Sequence, residues 1–335
     1  MHLRKVHDCD MNAANEPNER RLHVVLGAGQ IGTLLTESLL ARGEQVRQVR
    51  RGAPGPSQAL HEWRSGDLSD PRFAEEAMRG ADVVYHAVNA RYHEWAKLLP
   101  ALNEGILAGA ERTGAKLVVL DNLYMYGRPD GPMREDGPVR PCSIKGGIRA
   151  TLAEGLLNAH ERGRVRLCIA RASDFFGPHV TLSGVFGDRF YTRVLAGKAG
   201  EALGDPDMPH SYSYGPDVAN GLRLLGAAED DVLGQVWHLP VAYTGTTREL
   251  VRRIAKALGG KEDVATLPVW LLRGLGLFVK DIAEVPEMIY QWQVPFELDD
   301  RKFRARFGVA PTSIEEAVRA TAEWAKGHYA QSVAA

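Results

Sequence analysis

Short apolar runs alternate with helical patterns along most of the chain. Runs typical of buried strands are Leu22–Leu26, Gln45–Val49, Ala81–Ala87, Lys116–Leu120, Val165–Ala170 and Val236–Leu239, with a shorter one near Glu62–Ser65. The helical patterns between them lie near residues 30–42, 71–79, 92–113 and 144–162. This alternation predicts an α/β fold with a doubly wound parallel sheet, whose ligands bind at the carboxyl ends of the strands.

The alternation becomes irregular after residue 175, where Gly and Pro separate short helical segments. Helical patterns continue over residues 217–228, 246–258 and 312–326. In the second of these, Thr246 or Thr247 is suited to be the N-cap and Gly259 the terminator.

These patterns predict three regions. Residues 1–20 are polar and are expected to form a disordered N-terminal tail. The sheet domain is expected over 21–175 together with 215–240. A smaller, mostly helical substrate lobe is expected over 176–214 and 241–330.

A glycine-rich turn stands where the first strand pattern meets the first helix pattern. Its glycines are Gly27, Gly29 and Gly32, spaced Gly-x-Gly-x-x-Gly. One permits the tight turn, one lets the backbone approach a pyrophosphate, and one allows the helix to pack on the strand. The first helical residues, Gln30 and Ile31, offer backbone N–H groups to the phosphates. We therefore predict a Rossmann-type dinucleotide-binding domain.

Composition excludes some classes of partner. The 335 residues are 44% hydrophobic and 25% charged, which is ordinary for a globular protein. A formal net charge of −1 gives no general attraction to nucleic acid or membranes, and no apolar run reaches membrane-spanning length. Three widely spaced cysteines do not suggest a disulfide framework, so a cytoplasmic location is expected. No spacing is typical of a metal site, and we expect none.

Five further segments follow the glycine turn in an order that resembles the extended short-chain dehydrogenase/reductase family, which includes nucleotide-sugar epimerases and dehydratases. They are Gly66–Leu68, Tyr85–Asn89, Asp121–Gly127, Arg171–Pro178 and Tyr214–Ala219. The resemblance implies that the cofactor is lined by Asp67 and Leu68 near the adenine and by Ala87, Val88 and Asn89 after the fourth strand. It also implies a small-molecule substrate and a possible homodimer through helices near 92–113 and 144–162.

The chain departs from the family at the catalytic positions. The family carries Tyr-x-x-x-Lys on a helix, and no such motif occurs in this chain. Lys145 and Arg149 stand in the corresponding places, and Asn122 stands at the catalytic Ser/Thr position. Lys145 is a candidate general acid if its pKa is lowered, and otherwise a binding group; Arg149 can donate to ribose hydroxyls but cannot act as an acid. Tyr124, at a position usually small in the family, is the other candidate proton donor.

The choice of cofactor depends on the end of the second strand. An NAD site usually places an acidic residue there, but this chain has Arg50 and Arg51. Guanidinium groups suit the 2′-phosphate of NADP(H), which we therefore expect over NAD(H).

Three functions remain open at this point. The first is an NADP(H)-dependent oxidoreductase acting on a small carbonyl or alcohol substrate with a non-standard active site. The second is a redox-neutral epimerase or dehydratase that keeps its nicotinamide cofactor bound. The third is a non-catalytic NADP(H) sensor.

Overall fold

The three-dimensional structure is a computed structural model that describes residues 21–267 and 269–333. The predicted N-terminal tail, residues 1–20, lies outside the described residues. Within the described part, no helix has the length and apolar character needed to cross a membrane.

Strands and helices alternate through the first two thirds of the chain, as the apolar pattern predicts. The strands are β1 Leu22–Leu26, β2 Gln45–Arg50, β3 His61–Ser65, β4 Val83–His86, β5 Lys116–Asp121, β6 Arg166–Arg171, β7 Asp174–Phe176, β8 Gly200–Leu203, β9 Pro209–Tyr214, β10 Val236–His238, β11 Tyr243–Thr246 and β12 Val264–Leu267. The helices are α1 Gln30–Leu40, α2 Pro71–Met78, α3 Trp95–Thr113, α4 Ile144–Glu161, α5 Asp188–Leu195, α6 Gly215–Ala227, α7 Thr247–Leu258, α8 Val269–Gly276, α9 Lys280–Ala283, α10 Arg301–Phe307 and α11 Ile314–Val333.

The central sheet has seven strands in the order β10-β6-β5-β4-β1-β2-β3, and all its neighbours run parallel. Chain order reverses between β1 and β4, so their carboxyl ends open a crevice. This is the doubly wound Rossmann arrangement that the sequence predicts, and every predicted strand is present in it.

Helices cover both faces of the sheet, which explains why the strands read as continuous apolar runs rather than alternating ones. On one face, α2, α3 and α4 contribute to a core that includes Ile106 and Leu156. On the other, α1 and α6 bury side chains such as Leu35 and Leu222.

The chain after β6 holds more strand than the sequence indicates. A three-stranded sheet has the order β11-β9-β7, and β12 pairs with β8. These strands are three to six residues long and pair across long stretches of chain, so they offer too few alternating positions to be recognised. The helical part of the prediction is confirmed: Thr246 Oγ1 caps α7 by accepting from the Glu249 N–H at 3.1 Å, and Gly259 ends it at φ 80°.

The predicted helix over 92–113 is divided in the structure. Residues 92–94 form a 3₁₀ turn, and the α-helix begins at Trp95. The predicted division of the chain into sheet domain and lobe stays a prediction.

Candidate active site at the sheet switch point

The three glycines of the first turn differ in their backbone conformation and in the space around them. Gly27 has φ 111°, which disfavours a side chain, and packs against the backbone of Ala87. A Cβ on Gly32 would lie 2.2 Å from the carbonyl oxygen of Gly27. A Cβ on Gly29 would meet no protein atom within 4 Å, so the backbone there is open to a ligand.

The first turn of α1 lies directly beyond this opening. Gly29 is its N-cap and makes no side-chain capping bond, so no cap side chain satisfies the first N–H groups. Ile31 buries its side chain in the sheet core, which leaves its backbone as the group available to a phosphate. The side chain of Gln30 is bonded in both directions to the backbone of Leu182, at 3.1 Å each. Gln30 therefore ties the glycine turn to the loop that precedes α5.

The ends of β2 and β3 form the far side of the crevice. Arg50 and Arg51 are both exposed there, and Leu68 is buried. The Asp67 carboxylate accepts from the backbone N–H of Ser69 at 3.0 Å and from its hydroxyl at 2.8 Å, and these bonds lower the pKa of Asp67. These bonds fix the Asp67 carboxylate just after β3, where the resemblance predicts the adenine.

Helix α4 begins at a Ser143 cap, whose Oγ accepts from the Gly146 N–H at 3.0 Å. This start places Lys145 in the first turn, where its side chain is 2% exposed. Its Nζ lies 2.5 Å from a carboxylate oxygen of Glu284 and 2.5 Å from one of Glu287. Glu287 also accepts from the backbone N–H of Ile144 at 3.0 Å. Two lobe carboxylates therefore hold the side chain that replaces the family tyrosine.

Arg149, one turn further along α4, joins the ends of β4 and β5. Its Nη2 donates to Asn89 Oδ1 at 3.0 Å, and its Nη1 lies 3.5 Å from Asp121 Oδ1. The guanidinium carbon lies 4.3 Å from the centre of the Trp95 ring, a cation–π distance. Two predicted site residues, Arg149 and Asn89, are therefore in direct contact. Ala87 and Val88, the other predicted cofactor contacts after β4, line the crevice beside the Gly27 turn.

Two tyrosine hydroxyls meet beside this helix. Tyr124 Oη lies 2.5 Å from Tyr92 Oη, and Lys145 Nζ lies 5.1 Å from the centre of the Tyr92 ring. Burial raises the pKa of Tyr92 to about 12 and the pKa of Tyr124 well above its usual range. Both phenols are therefore protonated near neutral pH and can donate. Asn122 accepts from the Tyr124 N–H at 3.2 Å, so its side chain fixes the turn that carries this tyrosine.

A buried acid–imidazole pair lies on the lobe side of the tyrosines. Asp174 Oδ2 is 2.8 Å from Nε2 of His210, whose Nδ1 is 3.2 Å from the carbonyl oxygen of Gln291. A carbonyl oxygen only accepts, so Nδ1 of His210 donates to Gln291. The negative charge of Asp174 adds to the burial that raises the pKa of Tyr92 and Tyr124.

Sequence reasoning missed Glu284 and Glu287. They lie 139 and 142 positions from Lys145 in a segment with no recognisable motif. A buried lysine in a first helical turn needs opposite charge, which predicts that a partner exists but not which residue it is.

Removing both carboxylates from Lys145 is expected to destabilise the fold. The Glu284→Gln, Glu287→Gln double variant keeps the side-chain size but leaves a buried ammonium without opposite charge, at a cost on the order of 3 kcal/mol in the free energy of unfolding. Urea unfolding followed by tryptophan fluorescence measures it. The control is Glu315→Gln, which removes an exposed partner of Arg253 and should cost no more than about 0.5 kcal/mol. Equal stability of the double variant and the wild type would contradict a stabilising cluster.

The sequence profile of the NAD dependent epimerase/dehydratase family matches residues 23–239, which include all of the central sheet except Leu22. The chain belongs to this family. UDP-glucuronic acid decarboxylase 1 of Xenopus tropicalis is 26% identical to it over 235 residues, which cover 63% of this chain and 54% of the relative. The chain thus spans about half the length of these decarboxylases. dTDP-6-deoxy-L-talose 4-dehydrogenase (NAD(P)(+)) of Kitasatospora kifunensis is also 26% identical, over 74% of this chain and 82% of the relative.

Solved structures of the family share the fold. dTDP-glucose 4,6-dehydratase of Bacillus anthracis in complex with NAD superposes with a TM-score of 0.76 at 15% identity, over 93% of this chain and 99% of the other. UDP-glucose 4-epimerase of Thermotoga maritima with UDP-glucose superposes with a TM-score of 0.74 at 20% identity. The match covers 92% of this chain and 99% of the other. The predicted family and fold are thereby confirmed.

Proposed function

We propose that this family member is an NADP(H)-dependent oxidoreductase that acts on a carbonyl or alcohol group of a small molecule. The observation that carries the proposal is the buried Tyr92–Tyr124 hydroxyl pair beside Arg149 and Asn89, because it supplies a proton donor where the family tyrosine is missing. Turnover is tested by the change in nicotinamide absorbance with a panel of carbonyl and alcohol compounds.

The crevice fits a dinucleotide. The open backbone at Gly29 and the N-terminus of α1 suit a pyrophosphate. Arg149 suits the nicotinamide ribose, since it already donates to Asn89 at the end of β4. When bound, a nicotinamide coenzyme supplies or accepts a hydride. The protein's own part is to position the substrate and move the proton.

We assign the proton transfer to Tyr124. Its hydroxyl would donate to the substrate oxygen as that oxygen gains negative charge, and Tyr92 would stabilise the resulting phenolate through the 2.5 Å hydrogen bond. Lys145 then has a different part. Two of its three N–H groups are bonded to the carboxylates of Glu284 and Glu287. It fixes the lobe against α4 and places a positive charge near the Tyr92 ring.

Arg50 supports the preference for NADP(H). Arg50→Asp is expected to weaken NADP(H) binding about 100-fold and NAD(H) binding little, because an aspartate repels a 2′-phosphate but accepts from ribose hydroxyls. Isothermal titration calorimetry with both coenzymes measures this difference. Arg112→Asp, on α3 and paired with Glu75 at 2.9 Å, is the control for a general change of charge. An equal loss for both coenzymes would contradict the assignment.

A redox-neutral reaction on a sugar nucleotide is the second candidate. It is favoured by the likeness to UDP-glucuronic acid decarboxylase and to the two sugar-nucleotide enzymes of known structure. It predicts that nicotinamide stays bound through dialysis and that conversion proceeds with no net absorbance change. A homodimer through α3 and α4 stays a prediction, which sedimentation velocity tests.

A further inference from the structure

Helix α8 and the turn after it present large apolar side chains to solvent. Trp270 is 73% exposed, Leu277 83% and Phe278 87%, and Val279 is also exposed. Apolar side chains of this size, close together on a surface, mark an interaction site more often than they occur without a function.

The geometry of α8 explains why these side chains point outward. Trp270 and Arg273 are spaced i, i+3 on α8 and share one helical face, and Leu277 follows the last helical residue. Leu272 is on the other side and is buried in the lobe core with Ile289. The helix is therefore anchored by one side, and its opposite face and the following turn project from the lobe.

The charged residues within this segment are both cations, and acidic residues flank it at Glu262, Asp263 and Asp281. The 264–280 segment contains no aspartate or glutamate, although the whole chain has 42 of them. Its two cations, Arg273 and Lys280, are exposed, and neither forms an ion pair with any side chain that the structure describes. A chain of net charge −1 therefore carries a local patch that is apolar and basic.

We propose that this α8 tip, made of Trp270, Arg273, Leu277, Phe278 and Lys280, docks on the surface of an anionic lipid bilayer. Tryptophan, leucine and phenylalanine insert at the boundary between headgroups and acyl chains, while lysine and arginine contact the lipid phosphates. A second copy of the chain is a poorer occupant, because a two-fold contact would bring Arg273 and Lys280 of both copies together. The proposal does not depend on the reaction that the protein catalyses.

Docking would also orient the active site. Helix α9 follows the tip directly, and Glu284 and Glu287, which hold Lys145, come immediately after it. The part of the lobe that covers the tyrosine pair is thus next to the membrane contact.

Co-sedimentation of the full chain with phosphatidylcholine vesicles, with and without phosphatidylglycerol, tests the proposal. We expect binding to the mixed vesicles and weakening by salt. The Trp270→Ser, Phe278→Ser double variant should lose at least about ten-fold in partitioning, and Arg273→Glu, Lys280→Glu should lose the preference for anionic lipid. The control is Val139→Ser, which removes an apolar side chain that is 54% exposed in the stretch before α4 and should leave vesicle binding unchanged.

Two results would overturn the proposal. One is a wild-type protein that binds neither kind of vesicle. The other is concentration-dependent dimerisation in sedimentation velocity that the Trp270→Ser, Phe278→Ser variant abolishes, since the tip would then be a contact between two copies. Unchanged coenzyme affinity in that variant verifies that it is folded.

Discussion

Gly29→Val is expected to weaken the binding of both NADP(H) and NAD(H) by about 100-fold while leaving the free energy of unfolding nearly unchanged. Gly29 has an ordinary extended backbone, with φ −84°, and a Cβ there meets no protein atom within 4 Å. The folded chain therefore has room for valine. The same backbone has no room for both a valine side chain and a pyrophosphate lying against it.

Gly32→Ala gives the contrasting result. Its Cβ would lie 2.2 Å from the carbonyl oxygen of Gly27, so α1 must move away from the turn. We expect both a loss of coenzyme affinity and a loss of stability on the order of 2 kcal/mol. The control is Gly327→Ala on α11, where a Cβ also meets no protein atom within 4 Å. It should leave the affinity for both coenzymes unchanged. Calorimetric titration and urea unfolding measure the two effects, and full coenzyme affinity in Gly29→Val would refute the dinucleotide site.

Tyr124→Phe is expected to lower turnover by about 10²- to 10⁴-fold, the range for loss of a general acid. The variant keeps the ring, whose centre lies 6.0 Å from that of Trp95, and removes only the hydroxyl. Tyr92→Phe should have a smaller effect, because it removes the partner of the donor rather than the donor. The measurement is nicotinamide absorbance with a substrate found in the carbonyl and alcohol panel.

Two comparisons make the Tyr124 result specific. Tyr243→Phe removes a lobe hydroxyl bonded to Glu249 and should leave turnover unchanged. Lys145→Met should retain more activity than Tyr124→Phe if the lysine only fixes the lobe. The opposite ranking would make Lys145 the acid. A cellular role that survives both substitutions but not Gly29→Val would favour the sensor hypothesis.

Much of the nucleotide half of the site could be predicted because its signals are local. Strand β1, the turn and α1 lie within twenty residues, and each glycine acts on its immediate neighbours. The N-cap of α7 at Thr246 and its end at Gly259 follow from equally local chemistry. The contact of Arg149 with Asn89 joins two predicted site residues that are 60 positions apart.

The substrate half could not be predicted in the same way. The three-residue strand β7 and the four-residue β8 and β11 are too short to show periodicity, and they form by pairing with distant partners. Tyr92 belongs to none of the sequence motifs, and its contact with the hydroxyl of Tyr124 joins residues 32 positions apart.

The amino-acid sequence by itself determined the doubly wound sheet, the glycine turn at its switch point and the absence of the family's Tyr-x-x-x-Lys. Each depends on side chains a few positions apart, whose physical effect is the same wherever the segment is placed. Only the tertiary structure decided that Lys145 is held by two lobe carboxylates and that Tyr124 meets Tyr92. These contacts depend on how the lobe packs over the sheet, and burial alone makes them strong enough to matter for charge and proton transfer.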